Sequence, residues 1–255
     1  MADAAEVWAM RRAIHLAEPT VGSTGPNSPA GCVVLSAAGE LVGEGCHRGP
    51  NTPHAVAAAL AEAGYRARGG TAVVTLEPCS GNRSTRPCAE ALVDYGIKRL
   101  SYAVSDPFST DPDRLDLLHS HGIGVERGLL AQDVVESNVM WLSAARSSRP
   151  FVTWKFASTI DGRTASVNGS ARWITGIEAR HDARLHRARH DAVLVGTGTL
   201  HCDDPHLGLR HAVGSQPLRV VLDPRGRIRP EARVLDDSAP TLVITADGAA
   251  KPALP

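Results

Sequence analysis

The sequence predicts two successive α/β units, and three observations carry that prediction. Segments with strand character alternate with segments of helical period, the rhythm of a sheet layered with helices. At 255 residues the chain is long for one average domain and comfortable for one and a half to two. A fresh run of strand and helix signals begins near Pro150. Hydrophobic residues make up 43% of the chain but aromatics only 4%, so the cores have to be built from Ala, Val, Leu and Ile.

Residues 5–18 place Val7, Met10, Ala13, Ile14 and Ala17 on one helical face. A loop rich in Gly, Pro, Ser and Asn follows. GCVVLSAAGELVGEGCH then reads as two strands joined at Ala38-Gly39. Pro53 suits the start of a helix over 54–64, and Gly64 suits its end. TAVVTLEPC is a short buried strand running into a loop, CAEALVDYGI a helix from Cys88, and RLSYAVSD a strand. A helix over 113–122 and a strand with its turn in GIGVERGLL complete the first unit. In the second unit, FVTWKFAST reads as a strand with bulky residues on both faces. A basic helix over about 176–189 follows, then the apolar strand DAVLVGTGT and two further strands, PLRVVLD and PTLVITA. The final DGAAKPALP contains no element that could close a sheet.

Lys plus Arg equals Asp plus Glu, at 27 each, which removes the electrostatic reason to expect nucleic acid or an anionic membrane as a partner. No run approaches the roughly 18 apolar residues that span a bilayer. The N-terminal segment has acids before arginines, the wrong order for a secretory signal. Five scattered cysteines argue for a cytoplasmic protein with one metal site over a disulfide framework.

That metal site is His54, Cys79 and Cys88. His54 and Cys88 each open a helix, and Cys79 follows Pro78 at a strand end. One imidazole and two thiolates suit zinc and leave its fourth position for water. Helix N-termini favour thiolate over thiol.

The runs TGPNSPAGCVVL, GEGCHRGPNTPHA and TLEPCSGNRSTRPCAEAL resemble the N-terminal half of the bifunctional riboflavin-biosynthesis deaminase–reductases. FVTWKFASTIDGRTA, GSARWIT and DAVLVGTGTLHCDDPHLGLR resemble the start of their reductase half. The resemblance implies a cytidine-deaminase-like α/β/α sandwich over 1–147 and, over 148–255, the N-terminal part of a reductase domain resembling dihydrofolate reductase. It implies zinc and NADPH as cofactors, a phosphoribosylated diaminopyrimidinone as substrate, and self-association into a homo-oligomer. It implies that Asn27, Ala171, Arg187, Leu207 and Arg210 meet substrate and that Ala157, Trp173, Thr199 and Asp203 line the nicotinamide cofactor.

The chain departs from the family pattern in four places. Val56 stands where the family has Glu, the group that moves protons between the attacking water, the ring nitrogen and the leaving amine. Deamination is therefore expected to be weakened, by a factor of about 100 to 10,000. Glu62 lies too far along the helix to substitute, and Glu77 belongs to the family pattern in its own right. Gly81-Asn82-Arg83 replaces the usual loop after Cys79, and Ala171 replaces a common Ser. The family also continues to a Glu-Gly-Gly-rich turn that cradles cofactor phosphates, and nothing between Leu222 and Pro255 supplies one. If the chain ends here, an open apolar sheet edge is expected; if it is a fragment, the reductase is intact in its parent. A zinc-binding pseudo-deaminase with a structural or regulatory role is the alternative. A nucleic-acid deaminase is disfavoured by the neutral charge and the missing Glu.

Overall fold

The structure, a computed structural model, describes residues 3–79, 87–109, 114–171, 173–209 and 214–249. It divides into two units, Met1–Val152 and Thr153–Pro255.

In the first unit, helix α1 (Ala4–Ala17) opens on Asp3, whose carboxylate accepts the Glu6 N–H at 2.8 Å. It buries Ala9, Met10, Ala13 and Ala17. The buried face is rotated from the expected one: Val7 and Ile14 are only half-buried, and Glu6 is buried instead. An ion pair with Arg99 draws Glu6 inward, and a hydrophobic count could not register that. Strands β1 (Gly31–Leu35) and β2 (Leu41–Cys46) form an antiparallel hairpin, and β3 (Thr71–Leu76) is antiparallel to β1 on its other side. Beyond it, β4 (Arg99–Val104) and β5 (Gly124–Arg127) run parallel, giving the order β2-β1-β3-β4-β5.

Because side chains alternate along a strand, β1 and β3 feed two separate cores. Cys32, Val34 and Val74 pack against α2 (Ala55–Ala63), α3 (Cys88–Asp94) and α4 (Arg114–Ser120). Val33, Leu35 and Val73 pack against α1, α5 (Ala131–Ser137) and α6 (Val139–Ser147). The result is a sheet between two helical layers, the expected sandwich. Helices α5 and α6 were not anticipated; each buries a single apolar residue fully, Val134 and Leu142, too little to mark a helical stripe.

The seating of α2 on β2 matters most for the site. A methyl group at Gly45 would lie 2.4 Å from the Ala55 carbonyl oxygen, and one at Gly43 2.2 Å from that of Ala59. Helix and strand backbones touch there without intervening side chains. As an edge strand, β2 has outward backbone groups that need partners. Glu62 accepts the Glu44 N–H at 2.8 Å, and Arg66 donates to the Val42 carbonyl at 3.0 Å.

In the second unit, α7 (Ile177–Ala188) precedes a parallel sheet of β6 (Ala192–Gly196), β7 (Leu218–Leu222) and β8 (Thr241–Ile244), in that spatial order. Leu200, Leu207, Val221, Ile228 and Val234 form its core. Arg219 is fully buried within β7 and donates to the Asp236 carboxylate at 2.6 Å and to the Ala239 carbonyl. Two expectations need correction. FVTWKFAST is not a strand: it pairs with none of the described strands, and Val152 and Trp154 are 79% and 81% exposed. A strand that is apolar on both faces needs cover on both faces, and these side chains find little, apart from Trp154 against Phe156. DAVLVGTGT is not strand throughout either. It ends at Gly196, and Thr197–Asp203 form helix α8.

Candidate metal centre

Two helix starts and one strand end meet on one side of the first sheet. His54 is the N-cap of α2, in extended backbone after Pro53. Cys88 is the first residue of α3, after Pro87, and its N–H donates to the Cys79 carbonyl at 3.1 Å, which holds the two cysteines side by side. His54 Nδ1 lies 3.2 Å from Cys79 Sγ and 3.5 Å from Cys88 Sγ, and the two sulfurs are 3.4 Å apart. In a tetrahedral zinc site with bonds of about 2.3 Å to sulfur and 2.0 Å to nitrogen, the nitrogen–sulfur and sulfur–sulfur edges come to roughly 3.5 Å and 3.8 Å. The triangle is slightly tight but of the right size, and its donor set is the one zinc takes. Among the described residues it is the one cluster of His, Cys, Asp and Glu arranged for a metal.

Electrostatics fit the same use. Cys79 is pulled down to about 3, chiefly by the Cys88 thiol and then by His54, against the opposing effect of burial. His54 is raised by Cys79.

The triangle opens into a cavity of about 330 Å³. Val56, 3% exposed, stands in its wall as the second residue of α2. Asn27 is at the rim, its amide 3.2 Å from His47 Nε2. His47 is buried, and burial lowers its pKa. Its Nδ1 faces the Pro53 carbonyl at 3.3 Å, so the neutral ring donates there and accepts from Asn27. The two histidine rings meet edge to face at 5.3 Å. Sequence reasoning missed His47, although a histidine between two glycine-rich turns is its trace in GEGCHRGP. It also missed Asp106, Phe108 and Trp141, which line the same cavity from beyond the motifs. Glu77 is buried at 5% and accepts the Asp106 N–H at 3.2 Å, and Glu62 is held at β2. Gly81-Asn82-Arg83 lies outside the described residues.

In the second unit Thr199 and Asp203 sit one turn apart on α8, both exposed. Arg187, on α7, donates to the Gly208 carbonyl at 3.0 Å, beside buried Leu207. Leu207 has φ 63, a left-handed conformation that costs a side-chain-bearing residue about 1–2 kcal/mol. Exposed Trp173 carries the Arg180 guanidinium 4.4 Å from its ring centre. Ala157 is half-buried and Ala171 exposed, both outside helices and strands. Arg210 lies outside the described residues.

The comparisons with known proteins agree with this geometry. Residues 4–104 match the cytidine and deoxycytidylate deaminase zinc-binding region, and residues 150–254 match the RibD C-terminal domain. The chain is 42% identical over 241 residues to the riboflavin biosynthesis protein RibD of Mycobacterium tuberculosis, covering 92% of this chain and 71% of that protein. The chain belongs to the RibD family. RibD of Escherichia coli is 37% identical over 246 residues, covering 91% of this chain and 67% of that one. Among solved structures, a diaminohydroxyphosphoribosylaminopyrimidine deaminase/5-amino-6-(5-phosphoribosylamino)uracil reductase from Thermotoga maritima superposes with a TM-score of 0.89 at 35% identity. That match covers 96% of this chain and 71% of that one. RibD of Acinetobacter baumannii gives 0.86 at 39% identity, covering 94% and 69%. RibD proteins act in riboflavin biosynthesis and pair a zinc deaminase with an NADPH-dependent reductase, so the fold and the cofactor pair expected from the sequence both hold.

Proposed function

We propose that this chain serves riboflavin biosynthesis as a deaminase–reductase whose first reaction is slowed at one residue. The substrate is a phosphoribosylated diaminopyrimidinone, which loses its exocyclic amine by hydrolysis and then has its ribosyl group reduced with NADPH. The observation that carries this reading is the triangle of His54, Cys79 and Cys88 opening into a cavity whose wall is Val56.

His54, Cys79 and Cys88 would hold zinc, which supplies Lewis-acid activation of water. Asn27, at the rim with its amide held by His47, would orient the base through a polar contact. Val56 has neither donor nor acceptor, so proton transfer to the ring nitrogen and the leaving amine is left to solvent. In the second unit Ala157, Trp173, Thr199 and Asp203 would receive NADPH, and Ala171, Arg187, Leu207 and Arg210 the ribosyl phosphate. We place the chain in the cytoplasm, as a homo-oligomer acting on a small molecule, with neither nucleic acid nor membrane as partner; the balanced charge supports the first of these exclusions.

The test is metal analysis together with two assays on the zinc-loaded chain. About one zinc per chain, slow ammonia release from the diaminopyrimidinone ribosyl phosphate, and NADPH oxidation with the deaminated compound are expected. A chain without zinc would undo the site. Val56 itself favours a second reading, a pseudo-deaminase that keeps zinc for stability. Zinc retention with no ammonia release above background would select it.

A further inference from the structure

We infer that Phe108 and Trp141 form an aromatic clamp that selects a planar pyrimidine ring at the mouth of the metal cavity. Both side chains line that cavity, and they meet edge to face, with ring centres 5.6 Å apart at 78°. Phe108 is 61% exposed, so its ring face is open to a ligand entering the cavity. The Trp141 ring is held in place by a hydrogen bond of its own. The Trp141 indole N–H donates to the Pro26 carbonyl at 2.9 Å, which ties α6 to the loop that carries Asn27. At Phe108 it is the backbone that is held, its N–H donating to the Asp106 carboxylate at 2.9 Å, while the ring rests against Trp141. The aromatic pair therefore stands beside the Asn27 amide, itself fixed against His47. A planar ring lying against this pair would have π contact on one side and, from Asn27, an in-plane polar contact at its edge, the combination that recognises a nucleobase. Ribose and phosphate offer no aromatic face and gain nothing from this wall. Both residues lie outside the 4–104 region that carries the zinc motifs.

The inference rests on the functional reading above, and its test separates the two. Binding of the diaminopyrimidinone ribosyl phosphate and of ribose 5-phosphate is measured by calorimetry on the full zinc-loaded chain. The proteins compared are wild type, Phe108→Ala, Trp141→Ala and Trp141→Phe. Each alanine variant is expected to lose roughly fivefold to a hundredfold in affinity for the base-bearing ligand, the range of one base–aromatic stack. Affinity for ribose 5-phosphate should not change, and Trp141→Phe should recover part of the loss. Tryptophan fluorescence quenched by the base-bearing ligand should lose its largest component in Trp141→Phe. Zinc content equal to wild type shows that the variants are folded around the metal. Wild-type binding with unchanged affinity in both alanine variants overturns the clamp alone. Equal losses for both ligands also overturn it, because they mark general damage. A wild type that binds neither ligand overturns the functional reading, and the clamp with it.

Discussion

On the proposed reading, replacing Val56 by Glu should speed deamination. The residue is the second of α2, two positions after His54, and it is 3% exposed in the wall of a cavity of about 330 Å³. A carboxylate there has free volume ahead of it, so its head can enter the cavity while its methylenes replace the valine methyls. The first turn of a helix also favours a negative charge. General acid–base transfer contributes about 100- to 10,000-fold in rate, equivalent to roughly 2.7–5.5 kcal/mol of barrier. Against this stand part of the 1.5–3 kcal/mol that burial of a valine contributes, about as an upper bound, and the desolvation of the carboxylate. The variant should therefore turn over faster while melting lower. The assay is ammonia release at saturating substrate with zinc content measured in parallel. Val56→Gln, alike in shape but unable to carry a proton, serves as the control. Val56→Glu turnover within about threefold of wild type at equal zinc, against the hundredfold minimum expected of a shuttle, would refute the reasoning, as would an equal gain in Val56→Gln.

Cys88→Ser should reduce bound zinc from about one per chain to a small fraction, because a structural or catalytic zinc site depends on its thiolates; metal analysis after dialysis reads this, and a chelator should lower the wild-type melting temperature but not that of the variant. Gly45→Ala should destabilise the first unit by about 1–3 kcal/mol, as overpacking does, and should also weaken zinc binding, because α2 carries His54; denaturant unfolding and zinc titration check both. Glu44 is held below its ordinary value by the Arg12 hydrogen bond, so its contribution is present above the unfolded value of about 4.3 and lost as pH falls through the lower folded value. Glu44→Gln should flatten stability between about pH 5 and 3 by no more than about 1 kcal/mol, the range of a solvent-exposed pair.

The first unit was legible because its elements carry their own signals. Cys32 and Val34 alternate with Val33 and Leu35, and Gly39 and Gly64 stand where turn and helix end. The metal triad was legible because spacing and helix starts go together in the chain. The rest of the cavity was not. Asp106, Phe108 and Trp141 are far from the ligands in sequence and reach them only through the sheet. His47 looks ordinary until its burial and its two hydrogen bonds are known. The second unit failed at FVTWKFAST because a strand is a property of a pair, and the sequence of one segment does not contain its neighbour.

The contact between β2 and α2 has one more consequence. Gly43 and Gly45 face Ala55, Ala59 and Ala63, with no atoms to spare on either side. The atoms in the way are chiefly helix backbone, which no substitution removes, so the two glycines should hardly vary in natural relatives. Residue 56 sits inside that helix yet faces the cavity, outside the constraint. A substitution there, though it costs stability, leaves the backbone seam that aims this position unchanged.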